Sequence, residues 1–323
     1  MNTILIITNS ADPHADAVIN KIKNSNLVYR VNTDELLKSF SFDVQISNNL
    51  SSCGFTNPLN HFLDINDVSC IYYRRPEKPS LVYNDSYSKL VIDEAWHGLF
   101  HLLMNAQDKK WLGHPHRDKY ASSRIVQLNT AKKIGWKVPP TIISKDASKI
   151  KKFATQHPFL AIKPLGEKGI TIDEIWVPYF TSKLNASELL EKSIEEISAT
   201  YNYLQAYIEK KNEWRITVIG DEVFPCIIHS QDSEAAKTDW RTVDFNSIIH
   251  EKGVISKKFE RELIQFLKEL NLPFGAFDFI LTPDDEFIFL ECNPNGQWLW
   301  IEDLIGSPIA EAIAKWLEAN HHD

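Results

Sequence analysis

The chain has 323 residues, roughly two domains' worth at about 150 residues each. Its 43% hydrophobic and 24% charged residues are near the average for a globular protein. No apolar run approaches the ~20 residues of a membrane span, and the opening MNTILIITNSADPH lacks the basic flank and the length of a signal peptide. Cys53, Cys70, Cys226 and Cys292 show no paired spacing for zinc or a disulfide framework. These features exclude a membrane protein, a disulfide-stapled secreted scaffold and a disordered chain, and make the cytoplasm the expected compartment. The net charge of −8 is uneven: residues 271–323 hold ten acids against a single base, Lys315, leaving the rest of the chain close to neutral. Such a body lacks the basic face that nucleic-acid binding needs. The acidic end is either a solvated surface or a local field for a hard cation.

Thr3–Thr8 is a short β-branched run leading into Asn9-Ser10-Ala11-Asp12-Pro13, which predicts a buried strand and then a helix starting near Asp12. Leu27–Val31 and Val68–Tyr73 read as strands of the same sheet, with helices over Asp16–Lys23 and from about Asp85 to Ala106. Strands alternating with helices predict a parallel α/β sheet, so residues 1–113 form a first lobe. After the break at Gly113-His114-Pro115-His116, Asp118 is expected to cap one helix running to Gly135, before the stop at Pro139-Pro140. Thr141–Ser144 and Phe159–Lys163 read as strands around a Lys-rich helix, and Ser187–Ile197 as another helix, giving a central lobe over 114–200. Residues 201–323 form a third lobe. It starts with apolar runs at Tyr201–Ile208, Trp214–Ile219 and Glu222–His229, the last two joined by a Gly220-Asp221 hairpin turn. It continues with a helix at Lys257–Leu270, paired strands at Phe274–Leu281 and Glu286–Glu291, and a helix from Ser307.

The usual nucleotide and hydrolase signatures GxGxxG, the P-loop, HExxH and GxSxG are all missing, so any phosphate must be handled by side chains. Near the C-terminus, alternation sets Asp278 opposite its Phe neighbours and puts Glu291 and Asn293 on one strand face. If the two strands pair, three oxygen donors converge in a set that suits Mg²⁺; the alternative is a solvated acidic hairpin. Lys163 ends an apolar strand beside Leu165-Gly166-Glu167-Lys168-Gly169, within reach of a phosphate under a loop, and Lys119 starts a helix. Either also reads as a surface lysine. Glu213 and Arg215 share a strand face, from which Arg215 can clamp an anion or pair with a cross-strand carboxylate. Arg241 is of the same kind. Arg74 and Arg75 end a first-lobe strand, where open α/β sheets bind ligands, or form a solvated basic turn.

Taken in order, these clusters resemble the ATP-grasp ligases over almost the whole chain. Tyr72-Tyr73-Arg74-Arg75-Pro76 and Asn293-Pro294-Asn295-Gly296-Gln297-Trp298, with Asp239-Trp240-Arg241 between them, look like the microviridin-type peptide macrocyclases (graspetide synthetases). The resemblance implies an ATP-grasp fold, with an α/β N-terminal lobe followed by central and C-terminal lobes that clasp ATP. It implies that Lys119 and Lys163 contact phosphates, with Lys109, Lys110 and Arg124 competing for the Lys119 role. Gln205, Ala206, Tyr207 and Ile208 form the hinge, where the backbone of Ala206 and Ile208 reads adenine, and Glu213 lies near the ribose or phosphates. Asp278, Glu291 and Asn293 hold Mg²⁺, Arg215 and Arg241 act in catalysis, and Arg74 and Arg75 grip substrate. The implied reaction makes an acyl phosphate on an Asp or Glu side chain of a precursor peptide, with a leader and an acidic, Ser/Thr- or Lys-containing core. A hydroxyl or amine of the same peptide then closes a lactone or lactam. The loop at Gly166–Gly169 would exclude water, and the Lys145–Lys152 stretch is either a peptide contact or a solvated helix face. The resemblance also allows a homodimer. The competing expectations are a glutathione synthetase-like or ribosomal-protein-modifying ligase and a non-catalytic nucleotide-binding regulator.

Overall fold

The computed structural model describes residues 3–81, 85–166, 169–172 and 175–320. Thr3–Thr8 is the inner strand of a four-stranded sheet, flanked by Val28–Asn32 and by Val68–Tyr73, with Lys110–Leu112 at the edge. All of these pairings are parallel, as the alternating pattern predicts. Ile4, Ile6, Cys70 and Tyr72 face one way, while Leu5, Ile7 and Ile71 pack the other way against Leu99, Leu102 and Leu103 of the helix Ser86–Met104. Asp85 caps that helix by accepting the Ser88 N–H. A three-stranded antiparallel sheet, Ser41–Ser47, Leu50–Thr56 and Phe62–Asp64, is an addition that no strong sequence pattern announces.

Three boundaries differ from expectation. The stretch after Gly113 is two helices, Pro115–Ala121 and Arg124–Ile134, the first capped by His114 rather than Asp118. The second ends at Gly135 in the left-handed conformation, φ 99°, as a C-terminal glycine should. Ser187–Ile197 is likewise split into Ala186–Glu191 and Ile194–Ser198, the latter opened by a Ser193/Glu196 capping box. The central sheet has the order Ser182–Asn185, Phe159–Lys163, Asn202–Ala206, Thr141–Ser144. Asn202–Ala206 therefore pairs inside the central sheet, and a lobe division before residue 201 falls one strand early.

The third sheet is antiparallel and five-stranded, in the order His250–Lys252, Glu222–Ile228, Asn212–Ile219, Phe274–Leu281, Phe287–Asn293. One face is apolar: Phe277, Phe279 and Phe289 meet Phe266 of the helix Lys257–Glu269 and surround Trp136 at ring-centroid separations of 5.2–6.1 Å. Ala121 and Ala131 join this core, so the helices that follow Gly113 belong with the third sheet in packing. The other face carries Arg215 and Asp278 toward the central lobe. The final helix Ile309–Ala319 packs Ile309, Ile313 and Leu317 with Ile4, Ile6, Ala15 and Val18, tying the end of the chain to the first lobe. No described helix is long and apolar enough to cross a membrane.

Candidate active site

A cavity of about 970 Å³ lies between the lobes, at the upper end of the range for small-molecule sites. Of the residues singled out above, Arg75, Lys119, Lys163, Gln205, Ala206, Tyr207, Ile208, Glu213, Arg215, Arg241, Asp278, Glu291 and Asn293 line it, and Arg74 does not. Residues far apart in sequence meet here because strand ends from all three lobes point into one space.

The acidic pole is built by strand register. Asp278 stands directly opposite Glu291, and Ala276 opposite Asn293. A register shift after Asp278 bulges the partner strand at Leu290 and keeps both carboxylates on the cavity face. Asn293 Nδ2 donates to Glu291 Oε1 at 3.1 Å and lies 3.3 Å from Asp278 Oδ2. Arg215, opposite Asp278 on the neighbouring strand, donates to it at 3.1 Å, and Arg124 pairs with Glu291. The structure shows the cross-strand carboxylate partner expected of Arg215, and the same side chain also lines the cavity. The two carboxylates face the cavity side by side and could hold a hard divalent ion, with the Asn293 amide, whose nitrogen is turned toward them, as a third candidate ligand.

The basic wall faces this pole. Lys163 is half-buried, and burial chiefly lowers its pKa from 10.5 to about 8, with Arg124 and Arg241 acting in the same direction and Glu291 and Asp239 opposing. Arg241 is held by Asp239 in a two-pronged pair, Nε to Oδ1 at 2.8 Å and Nη2 to Oδ2 at 2.6 Å. Burial penalises the charge of that guanidinium, but the Asp239 partner outweighs it and moves the pKa upward. Glu213 accepts from Lys210 Nζ at 2.6 Å, and the same ammonium reaches the Thr238 carbonyl at 3.1 Å. At the hinge, the Ala206 N–H is already donated to the Pro140 carbonyl and the Tyr207 N–H to the Phe159 carbonyl. The Ala206 N–H is thus spent inside the sheet, so any part it takes in reading a base falls to its carbonyl.

Arg74 requires a correction. It is 1% exposed and donates through Nη1 to the Asn295 carbonyl at 2.8 Å, with Asn295 Oδ1 also engaged. It ties the first lobe to the loop that follows Asn293, whereas Arg75, with φ 46°, turns outward into the cavity. Lys119 reaches the cavity from an exposed position, and Arg124 lies closer to the acidic pole through its Glu291 pair. Lys109 and Lys110 do not line the cavity. Sequence reasoning misses Lys210: it sits in a run of polar residues, and only the i, i+3 spacing to Glu213 hints at the pair. Of the expected loop, residues 167 and 168 lie outside the described residues.

Residues 3–119 match the MvdD pre-ATP grasp domain family and residues 129–262 the prokaryotic glutathione synthetase ATP-grasp domain family. A RiPP-associated ATP-grasp ligase from Chryseobacterium gregarium, in complex with ADP and a leader and core peptide, is 29% identical with a TM-score of 0.89, covering 99% of this chain and 97% of that one. The macrocyclase MdnC from Microcystis aeruginosa, bound to the precursor peptide MdnA, is 26% identical with a TM-score of 0.83, covering 98% and 99%. MdnB from the same organism, at 24% identity and TM-score 0.77, covers 98% and 99% and shares the fold. No curated protein matches the sequence.

Proposed function

The chain is an ATP-grasp ligase similar to the microviridin-type peptide macrocyclases, and from that premise we propose how its own residues make rings in a precursor peptide. The observation that carries the reading is one cavity holding Lys163, Arg215 and Arg241 beside the Asp278–Glu291–Asn293 donor set. A side-chain carboxylate does not condense with a hydroxyl in water because oxide is a poor leaving group. Transfer of the ATP γ-phosphoryl group gives an acyl phosphate, which a Ser/Thr hydroxyl or Lys amine of the same peptide attacks, releasing phosphate and leaving ADP.

In this reading Lys163 and Arg124 bind the nucleotide phosphates, and the Gln205–Ile208 hinge holds the base. Glu213, fixed by Lys210, faces the sugar or phosphates. Asp278, Glu291 and Asn293 hold Mg²⁺, whose chemistry is to neutralise phosphate charge during transfer. Arg215 and Arg241 steady the transferring group, each contact being worth on the order of 10²–10³ in rate. Arg75 meets the acidic side chains of the peptide. The match of residues 129–262 to the glutathione synthetase domain supports a second reading, ligation of a free amino acid. One experiment separates the two: incubation with ATP, Mg²⁺ and short Thr/Ser- and Asp/Glu-rich candidate precursor peptides, sought among the neighbouring genes, followed by intact mass. Loss of one water per ring supports the macrocyclase; an unchanged peptide, with ADP formed only when free amino acids are added, supports the alternative.

A further inference from the structure

We infer that Asp118 takes the proton from the peptide hydroxyl that closes each ring, an inference that rests on the macrocyclase reading above. Among the described residues, five carboxylates line the cavity: Asp118, Glu213, Asp239, Asp278 and Glu291. Four are held by a basic side chain, Glu213 by Lys210, Asp239 by Arg241, Asp278 by Arg215 and Glu291 by Arg124. Groups fixed as anions in this way bind and orient cations, and an arginine or lysine at contact distance makes them poor proton acceptors.

Asp118 differs. Its carboxyl has no ion-pair partner among the described residues; Oδ1 accepts the His114 N–H at 3.2 Å, and Arg117 on the same helix is the smallest of the influences on it. The other titratable groups that its charge influences, the Tyr73 hydroxyl of the first-lobe strand and the Cys292 thiol of the third sheet, are not cations. Gly113, at φ 77°, leaves no room for a side chain between the Tyr73 carbonyl and Asp118 Oδ2, which places the carboxyl at the junction of the first lobe and the helix Pro115–Ala121. Burial raises its pKa to about 7, against the pull of the His114 N–H and Arg117. A carboxyl in that state exchanges its proton near neutral pH, which is what a general base requires.

The step balances as follows. The Ser or Thr oxygen attacks the acyl carbon, its O–H proton passes to Asp118, the bond from that carbon to the phosphoryl oxygen breaks, and phosphate leaves with the electron pair. The competing role, holding the helix start through the His114 N–H, is separable, because Asp118→Asn keeps an oxygen for that N–H and removes the basicity. Wild type and Asp118→Asn are compared with the same candidate precursor peptides, ATP and Mg²⁺, counting rings by intact mass and ADP by a coupled assay. The variant is expected to bind ADP as wild type does and to close rings about 100-fold more slowly. It should also form more than one ADP per ring, because uncaptured acyl phosphate hydrolyses, and lose the fall in ring closure expected of wild type below about pH 7. Ring closure within twofold of wild type, at one ADP per ring and with an unchanged pH profile, overturns the inference. If the variant does not fold, wild type alone decides: rings per ADP must drop as the pH falls through about 7, and a flat ratio overturns it. Wild type forming neither rings nor peptide-dependent ADP overturns the macrocyclase reading itself, and the inference with it.

Discussion

Lys163 offers the sharpest quantitative expectation. In the ligand-free site its pKa is lowered to about 8, so close to half of the side chains are neutral at pH 8 and nearly all are charged at pH 6.5. A bound polyphosphate favours the ammonium and draws the pKa back up. Binding of ADP without metal at pH 8 should therefore take up about half a proton, and at pH 6.5 almost none from this group. The assay is titration calorimetry in several buffers of different ionisation enthalpy, whose slope gives the protons taken up. As the pH rises from 8 to 10 the free lysine loses its charge, so the affinity should weaken. Lys163→Met keeps the bulk and removes the titration: the buffer dependence at pH 8 should vanish and ADP should bind about 10- to 100-fold more weakly at pH 7, the ~1.5–3 kcal/mol of a hydrogen bond to a charged group. Wild-type binding at pH 8 with no buffer dependence, or a variant within twofold of wild type, refutes the reasoning.

Further expectations follow from individual contacts. Glu291→Gln combined with Asn293→Ala should abolish turnover while thermal unfolding stays cooperative; retained turnover would remove the metal assignment. Arg241→Lys should lower turnover by about 10²-fold in a steady-state assay, because an ammonium cannot make the two-pronged contact with Asp239. Arg75→Ala should impair peptide modification more than ADP binding, whereas Arg74→Ala, which strands the Asn295 acceptors at the lobe junction, should lower the unfolding temperature. Trp136→Ala, made at the centre of the Phe cluster, should cost about 3–5 kcal/mol in denaturant unfolding with little direct effect on ADP affinity.

Much of this architecture is written in local pattern. Thr3–Thr8 and Val68–Tyr73 are largely apolar runs and behave as buried parallel strands, and Asp278 alternates with Phe277 and Phe279, so its face follows from period two alone. Partner choice across lobes is not local. Nothing near residue 74 announces Asn295 as its acceptor, and nothing near Asn202–Ala206 says whether that strand joins the sheet before it or the one after it. The short break at Ser122-Ser123 splits a helix that periodicity alone continues. Asp118 reads as a cap because its helix position invites one; its place in the cavity wall with Tyr73, Glu213 and Glu291 comes from separate segments and exists only once the chain has folded.

The central claim, that a peptide carboxylate is activated by phosphoryl transfer, is tested most directly by a heavy-oxygen label. Precursor peptide labelled in its Asp and Glu carboxylates is turned over with unlabelled ATP in unlabelled water, and the phosphate is analysed by mass spectrometry. Transfer through an acyl phosphate predicts one labelled oxygen in the phosphate for each ring closed. Rings that form while the phosphate stays unlabelled would contradict the account.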